Sequence, residues 1–118
     1  MTTEPVRFTL NNPWFDLVQS GLKIYEGRRS TPKIKALVVG DEITIAHHTE
    51  QHRQPYTVIV EEMLEFSNFE VALINLPIEQ VLPIPNITVA EGVEIYKKYV
   101  SLPTQERDGV TMLKIRVK

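Results

Sequence analysis

Three side chains in one short segment carry the chemistry that stands out in this sequence: Lys23, Glu26 and Arg28. A lysine ammonium is a compact donor for a phosphate or a developing oxyanion, and an arginine guanidinium is a planar fork for a phosphate or a base edge. A glutamate beside both is held ionised and can accept a proton or a base amino group. Such a segment can hold a nucleotide-like ligand, and Lys23 and Glu26 are its candidates for catalysis.

The spacing of these residues sets a geometric condition on the site. In a regular strand, Glu26 and Arg28 share one face, whereas Lys23 points the other way. Lys23 and Glu26 converge only if the chain turns or bulges just after Gly21. A plainer role, as exposed ion-pair partners on a strand, also fits the same side chains.

Neighbouring residues add candidates for ligand binding. Trp14 and Tyr25 are aromatic side chains on which a flipped or single-stranded base can stack. Trp14 also suits the apolar face of a helix, as a core or cleft-wall residue. Arg29 extends the basic character of Arg28, so we include both arginines among the binding candidates.

Charge is distributed unevenly along the chain, although the formal net charge is only -2. Residues 21–35 contain five basic side chains and one acid, whereas residues 54–96 contain no Lys or Arg and seven glutamates. Such asymmetry is typical of a surface that attracts phosphate on one side only, or of scattered solvated charge. On the first of these interpretations, the partner of the basic segment carries phosphate.

Metal and cofactor chemistry find little support in the sequence. There is no cysteine, which excludes disulfides, thiolate nucleophiles and cysteine-based zinc sites. His48 and His52 are four positions apart, a spacing that suits a metal only on a helix, and their segment is predicted to run from a strand into a polar loop with His47. We expect no metal and no cofactor.

The elements that must position these residues begin with one helix. Asn12 as N-cap, Pro13 at the first helical position and Gly21 as a left-handed stop predict it. Its positions Trp14, Leu17 and Val18 would form the buried face. A short strand over residues 8–10 precedes this helix, and a strand over residues 22–28, with a bend at its start, follows it.

The rest of the chain mixes strands and helices irregularly. Strands are predicted over residues 42–46, over 56–60 with an extension to 64, and over 110–117. Ser67 would cap a helix over residues 68–75, and Thr88 with Glu91 would open a helix running to about Tyr99. Prolines allow only short helical turns between these two helices. The pattern favours an α+β fold around an antiparallel or mixed β-barrel with peripheral helices.

Composition favours one cytoplasmic domain. The 118 residues, 42% apolar and 24% charged, suit a single domain over residues 1–118 with one core. The first residues lack the basic start and apolar stretch of a secretory signal. No apolar run is long enough for a membrane span. We expect a cytoplasmic protein (nuclear if eukaryotic) that is a monomer and does not act at a membrane.

One motif resembles a known family. Gly21, Lys23, Glu26 and Arg28 form the pattern G-x-K-x-x-E-x-R directly after the helix that bears Trp14, and this pattern is similar to the signature of the ASCH family. The resemblance implies a PUA-like β-barrel. It continues along the chain in the turn Gly40–Ile43, in the tyrosines Tyr96 and Tyr99, and in Glu106 with Gly109 and Val110 before the last strand.

The resemblance implies three functions, of which we favour the first. PUA-like relatives commonly act on RNA, which favours binding of RNA or a modified nucleotide in a cleft. Some ASCH proteins remove the acetyl group from acetylated cytidine with lysine, threonine and glutamate; here Glu26 stands where the threonine nucleophile would be. A small hydrolase of acylated cytidine or of RNA is therefore the alternative. The third is a protein-interaction module of a transcription or RNA-processing assembly.

A second acid is implied by the hydrolytic members of the family, which place one on a later strand. Glu61 and Glu62 end the predicted strand that begins at Tyr56, and adjacent positions face opposite ways. One of them can therefore point into a barrel cleft, and we select Glu62 as the candidate. Ordinary solvent-exposed glutamates are the alternative for both.

Overall fold

The computed structural model describes residues 6–118; the expectation about the first residues concerns positions 1–5, which lie outside the described part. Five strands form one sheet, and their order across it is β1-β3-β4-β5-β2. The strands are β1 (Val6–Leu10), β2 (Tyr25–Arg29), β3 (Glu42–His47), β4 (Tyr56–Phe66) and β5 (Val110–Val117). All five lie close to the positions that the sequence predicts.

The sheet is mixed and curled. β1 pairs with β3 in parallel, and the other neighbouring strands pair antiparallel. The register of β4 against β5 shifts between Val60 and Glu62, which marks a β-bulge that bends the long strand β4. β1 and β2 are the two outer strands, and the curl of the sheet brings them to face each other across a gap. The predicted α+β class with a mixed, barrel-like sheet is confirmed.

Six helices surround the sheet. They are α1 (Trp14–Gln19), α2 (Pro32–Lys35), α3 (Phe69–Asn75), α4 (Ile78–Val81), α5 (Val89–Lys97) and α6 (Leu102–Asp108). The capping box of Thr88 and Glu91 is present at the start of α5, as predicted. The cap of α3 is Asn68 rather than the predicted Ser67, because the Asn68 side chain accepts from the Val71 N–H.

Two short helices were absent from the sequence-based prediction. Thr31 caps α2 by accepting a hydrogen bond from the Ile34 N–H, and Pro32 occupies its first turn. α6 likewise has a proline in its first turn and follows Ser101. α2 has only four residues, and α6 carries few apolar side chains, so neither shows the apolar period that is the main sequence signal for a helix.

The predicted N-cap of α1 is wrong, and so is part of its predicted buried face. Pro13, not Asn12, is the N-cap, and the Asn12–Pro13 peptide bond is cis. The most buried side chain of the helix is Phe15, at 1% exposure, together with Val18. Leu17 and Trp14 are only half-buried. The buried face is therefore rotated towards Phe15 relative to the predicted one.

Two apolar clusters flank the sheet and meet at one residue. The first contains Phe15 and the inner side chains of β1, β3 and β4; the second contains Phe69 and the inner side chains of α3, α4 and α5. β5 supplies both, with Leu113 in the first cluster and Met112 in the second. Trp14 packs against both clusters.

Membrane crossing by a helix finds no support within residues 6–118. None of the helices there has the length and apolar character that a transmembrane span needs.

Candidate functional site

A tight reversal after α1 directs the chain into the site. Gly21 has a φ of +83°, and the Leu22 N–H donates to the Leu17 carbonyl at 3.1 Å while the Gly21 N–H donates to the Val18 carbonyl at 3.1 Å. These two bonds form a Schellman motif. The Lys23 N–H also donates to the Leu17 carbonyl, at 3.0 Å. The bend that the sequence requires after Gly21 is thus present.

The bend turns the Lys23 side chain inward. Lys23 is only 3% exposed, and its ammonium donates to the backbone carbonyl of Val81. Its Nζ lies 3.8 Å from Glu26 Oε1 and 5.5 Å from the centroid of the Trp14 ring. Burial lowers the pKa of Lys23 from 10.5 to about 8, an effect that Glu26 opposes and Arg28 reinforces. A fraction of this amine is therefore neutral near physiological pH.

Glu26 and Arg28 form a partly buried ion pair on β2. Both Arg28 Nε and Arg28 Nη2 lie 2.9 Å from Glu26 Oε2. The Arg28 guanidinium also lies over the Phe8 ring, 4.0 Å from its centroid. Since Phe8 belongs to β1, this contact joins the two outer strands across the gap between them.

Lys23, Glu26 and Arg28 thus converge, as their spacing allowed. All three line a cleft of about 530 Å³ between β1 and β2. Trp14 lines the same cleft and is half-buried. Arg29 lines it too, while its guanidinium lies 2.8 Å from Asp108 Oδ2. The part these residues take in binding or catalysis stays a prediction.

Two of the predicted site residues lie elsewhere. Tyr25 is 7% exposed and packs in the second apolar cluster rather than in the cleft. Glu62 is exposed on β4 beside the bulge, opposite Lys114, and does not line the cleft. Glu61 is also exposed and lies 3.1 Å from Arg116. The β-bulge cannot be inferred from the sequence. The alternation of side chains along a regular strand therefore could not predict which of the two glutamates faces the cleft.

The cleft is basic. Its lining includes five Lys or Arg side chains and one carboxylate, that of Glu26: the cations are Arg7, Lys23, Arg28, Arg29 and Lys33. The predicted asymmetry of charge along the chain therefore produces a positive concavity in an otherwise slightly acidic protein.

Sequence reasoning missed several residues of the cleft. Tyr96 on α5 and Tyr99, two residues after its end, line the cleft, and the Trp14 Nε1–H donates to the Tyr99 hydroxyl at 3.3 Å. Arg7 and Phe8 contribute from β1. The two tyrosines on one helical face were the available signal; the contribution of β1 depends on the curl of the sheet, which has no local sequence signature.

The histidines do not form one group. The Nδ1 of buried His47 accepts the backbone N–H groups of Thr49 and Glu50, at 3.2 and 3.0 Å. His48 is exposed and lines the cleft, and His52 is exposed in the following loop. Across residues 6–118, no three His, Asp or Glu side chains are grouped so that they could hold a metal ion.

The protein is an α+β domain with a curled mixed sheet and a basic cleft between the outer strands of that sheet. The family model of the ASCH domain matches residues 8–116, so the chain belongs to the ASCH domain family. Its curled sheet and flanking helices have the fold of solved ASCH structures.

Solved structures share this fold. The hypothetical protein PH0355 is 24% identical with a TM-score of 0.84, and the alignment covers 98% of this chain and 100% of that one. Protein PF0455 from Pyrococcus furiosus is 22% identical with a TM-score of 0.75, covering 97% of both chains. ASCH from Zymomonas mobilis is 14% identical with a TM-score of 0.65, covering 93% of this chain and 65% of that one. A search of curated proteins finds no match.

Proposed function

We propose that this protein binds RNA or a modified nucleotide in the cleft between β1 and β2. The observation that carries the proposal is the convergence of Lys23, Glu26 and Arg28 on the floor of a basic concavity. Membership of the ASCH family, which is generally RNA-binding in character, supports the same reading. The fold alone would not establish it, since one fold hosts many functions.

The polar groups suit different parts of a nucleotide. Lys23 donates and Glu26 accepts, so together they can address a base edge that presents an acceptor and a donor. The more exposed cations Arg7, Arg29 and Lys33 suit phosphate oxygens. Ligand pockets usually measure about 300–1,000 Å³, and this cleft of about 530 Å³ falls within that range.

An aromatic wall completes the proposed site. Trp14 and Tyr99 both line the cleft and are joined by a hydrogen bond of 3.3 Å. A base that stacks on such a wall gains roughly 1–3 kcal/mol in comparable systems. In this proposal Trp14 stacks on the base, as the sequence suggests, and Tyr99 takes the place of Tyr25 as the second aromatic residue.

The test is RNA binding by an Arg28→Ala/Arg29→Ala double variant. The matched control is Arg116→Ala/Lys118→Ala, which removes two exposed cations outside the cleft. If the arginines contact phosphates, the double variant binds a short single-stranded RNA more weakly. The negative slope of log affinity against log salt also becomes shallower by about 1.4, because two phosphate contacts are lost. The control retains most of the affinity and slope.

Equal losses in the two double variants would mean that net charge, rather than the cleft, attracts RNA. That result would contradict the proposal, as would the absence of salt-dependent binding by the wild-type protein.

A second function is favoured by one observation, the buried amine of Lys23 with a pKa of about 8 beside Glu26. In a hydrolase of acylated cytidine, Glu26 would take a proton from water as the water attacks the acyl carbon. Lys23 would stabilise the oxyanion that develops on the carbonyl oxygen, and the departing amine would receive the proton. No hydroxyl nucleophile is needed.

Turnover of acetylated cytidine tests this alternative. We expect Lys23→Ala and Glu26→Gln to abolish it, whereas Glu62→Gln, outside the cleft, should leave it unchanged. Absence of turnover of acylated nucleosides and of RNA by the wild-type protein would reject the hydrolase and leave the binding function intact.

A further inference from the structure

The hydroxyl of Tyr96 is a buried donor that the fold does not use. Tyr96 lines the cleft, yet it is only 7% exposed, and its hydroxyl has no hydrogen-bond partner within residues 6–118. Its ring stacks on Phe69, with centroids 3.9 Å apart and planes 8° apart. Phenylalanine would supply the same stack without burying an unpaired polar atom, which is unfavourable. The hydroxyl therefore needs an explanation outside the stability of the fold.

The hydroxyl lies over Gly27 of β2, among the Phe69 ring and the Met112 sulfur. A Cβ atom at Gly27 would lie 3.0 Å from the hydroxyl oxygen and 2.7 Å from the Phe69 ring. Gly27 stands between Glu26 and Arg28 on β2, so the absence of a side chain there lets the phenol approach the strand that carries both.

The phenol is a hydrogen-bond donor at any physiological pH. Burial raises the pKa of Tyr96, and the charge of Glu26 raises it further, against an opposing effect of Arg28. A protonated phenol can donate a hydrogen bond to an acceptor, as the Lys23 ammonium can. The lining of the cleft thus includes these two donors, Tyr96 and Lys23, and one carboxylate acceptor, Glu26.

We propose that the Tyr96 hydroxyl donates a hydrogen bond to an acceptor atom, a carbonyl oxygen or ring nitrogen, of the base bound in the cleft. This inference rests on the proposed nucleotide binding. Because the hydroxyl is buried, this bond requires the Tyr96 ring to shift towards the ligand on binding. Tyr96 is then a ligand-binding residue outside the G-x-K-x-x-E-x-R pattern.

The first test needs no ligand. In thermal unfolding, Tyr96→Phe should match or exceed the midpoint of the wild-type protein, because it removes only an unpaired hydroxyl. The control is Tyr56→Phe: the Tyr56 hydroxyl donates to the Phe15 carbonyl at 2.6 Å and lies outside the cleft, so its loss should lower the midpoint. A clearly lower midpoint for Tyr96→Phe would show that its hydroxyl already has a partner, and would overturn the inference.

The second test measures affinity for the four nucleoside 5′-monophosphates and a short single-stranded RNA. Tyr96→Phe should weaken the tightest of these complexes by about three- to tenfold, the usual effect of one neutral hydrogen bond. Tyr56→Phe should leave the affinity unchanged. Equal affinities for Tyr96→Phe and the wild-type protein would overturn this inference alone. Failure of the wild-type protein to bind any of the probes would overturn the proposed function together with it.

Discussion

At the scale of single residues, the site depends on a lysine that has lost most of its water. Lys23 is 3% exposed, and its amine lies against a backbone carbonyl, Glu26 and the Trp14 ring. Desolvation opposes the ammonium form, and a single carboxylate at 3.8 Å only partly offsets it. The protein thus holds an amine that exchanges a proton near neutral pH next to a carboxylate that can accept one.

This arrangement predicts a specific dependence of stability on pH. The pKa of Lys23 is about 8 in the folded protein against an ordinary 10.5, so the unfolded chain binds more protons between these values and stability rises with pH there. The difference corresponds to about 3 kcal/mol. In urea unfolding, the wild-type protein should therefore gain roughly that much over Lys23→Met between about pH 7 and pH 11.

The control for this measurement is Lys97→Met, which removes an exposed amine paired with Glu94 at 3.3 Å. Its stability relative to the wild-type protein should not change over the same range. A difference between wild type and Lys23→Met that stays flat with pH would contradict the prediction. A fall with increasing pH would mean that Glu26, rather than burial, dominates the environment of the amine.

At the scale of elements, the turn between α1 and β2 decides where Lys23 points. Gly21 adopts a φ of +83°, and an added Cβ would meet no atom within 4 Å. Any cost of substitution there is therefore conformational. Gly21→Ala should destabilise the protein by about 1–2 kcal/mol, because the Cβ atom of alanine is unfavourable in the left-handed conformation. Chemical denaturation at one pH measures this.

Asparagine tolerates the left-handed region better than alanine, so Gly21→Asn is the matched comparison and should cost less. An alanine variant as stable as the wild-type protein, or an asparagine variant less stable than the alanine one, would show that the turn does not limit stability. Weaker RNA binding by Gly21→Ala would follow from displacement of Lys23.

The same turn shows how far the sequence leads. The local part of the turn is predictable from the sequence, since a helix ends at a glycine and an apolar and basic segment follows it as a strand. Its distant part is not, because the Ile24 N–H donates to the Gln80 carbonyl and the Lys23 ammonium to the Val81 carbonyl. Those partners lie on α4, a short helix between prolines. The packing of α4 against β2 therefore fixes the direction of the Lys23 side chain, and the sequence around Gly21 does not reveal that packing.

At the scale of the whole molecule, the curl of the sheet creates the cleft. β1 and β2 are at opposite ends of the strand order, and they face each other because the long strand β4 bends at its bulge. Alternation and turn signals predicted nearly every strand, but they contain no information about which outer strands meet. For that reason the sequence indicated the residues of β2 and missed Arg7 and Phe8 of β1.

The curl also joins the two apolar clusters at Trp14, the single tryptophan of the chain. Because its ring packs against both clusters, its fluorescence reports the loss of either one. We expect one cooperative transition in urea, with midpoints from tryptophan emission and far-UV circular dichroism that coincide. Separate unfolding of the clusters would spread the two transitions apart, since the helices α3 to α5 belong to the second cluster only. Coincident midpoints in Phe15→Leu and Phe69→Leu, which loosen one cluster each, would show that β5 and Trp14 couple both halves into one folding unit.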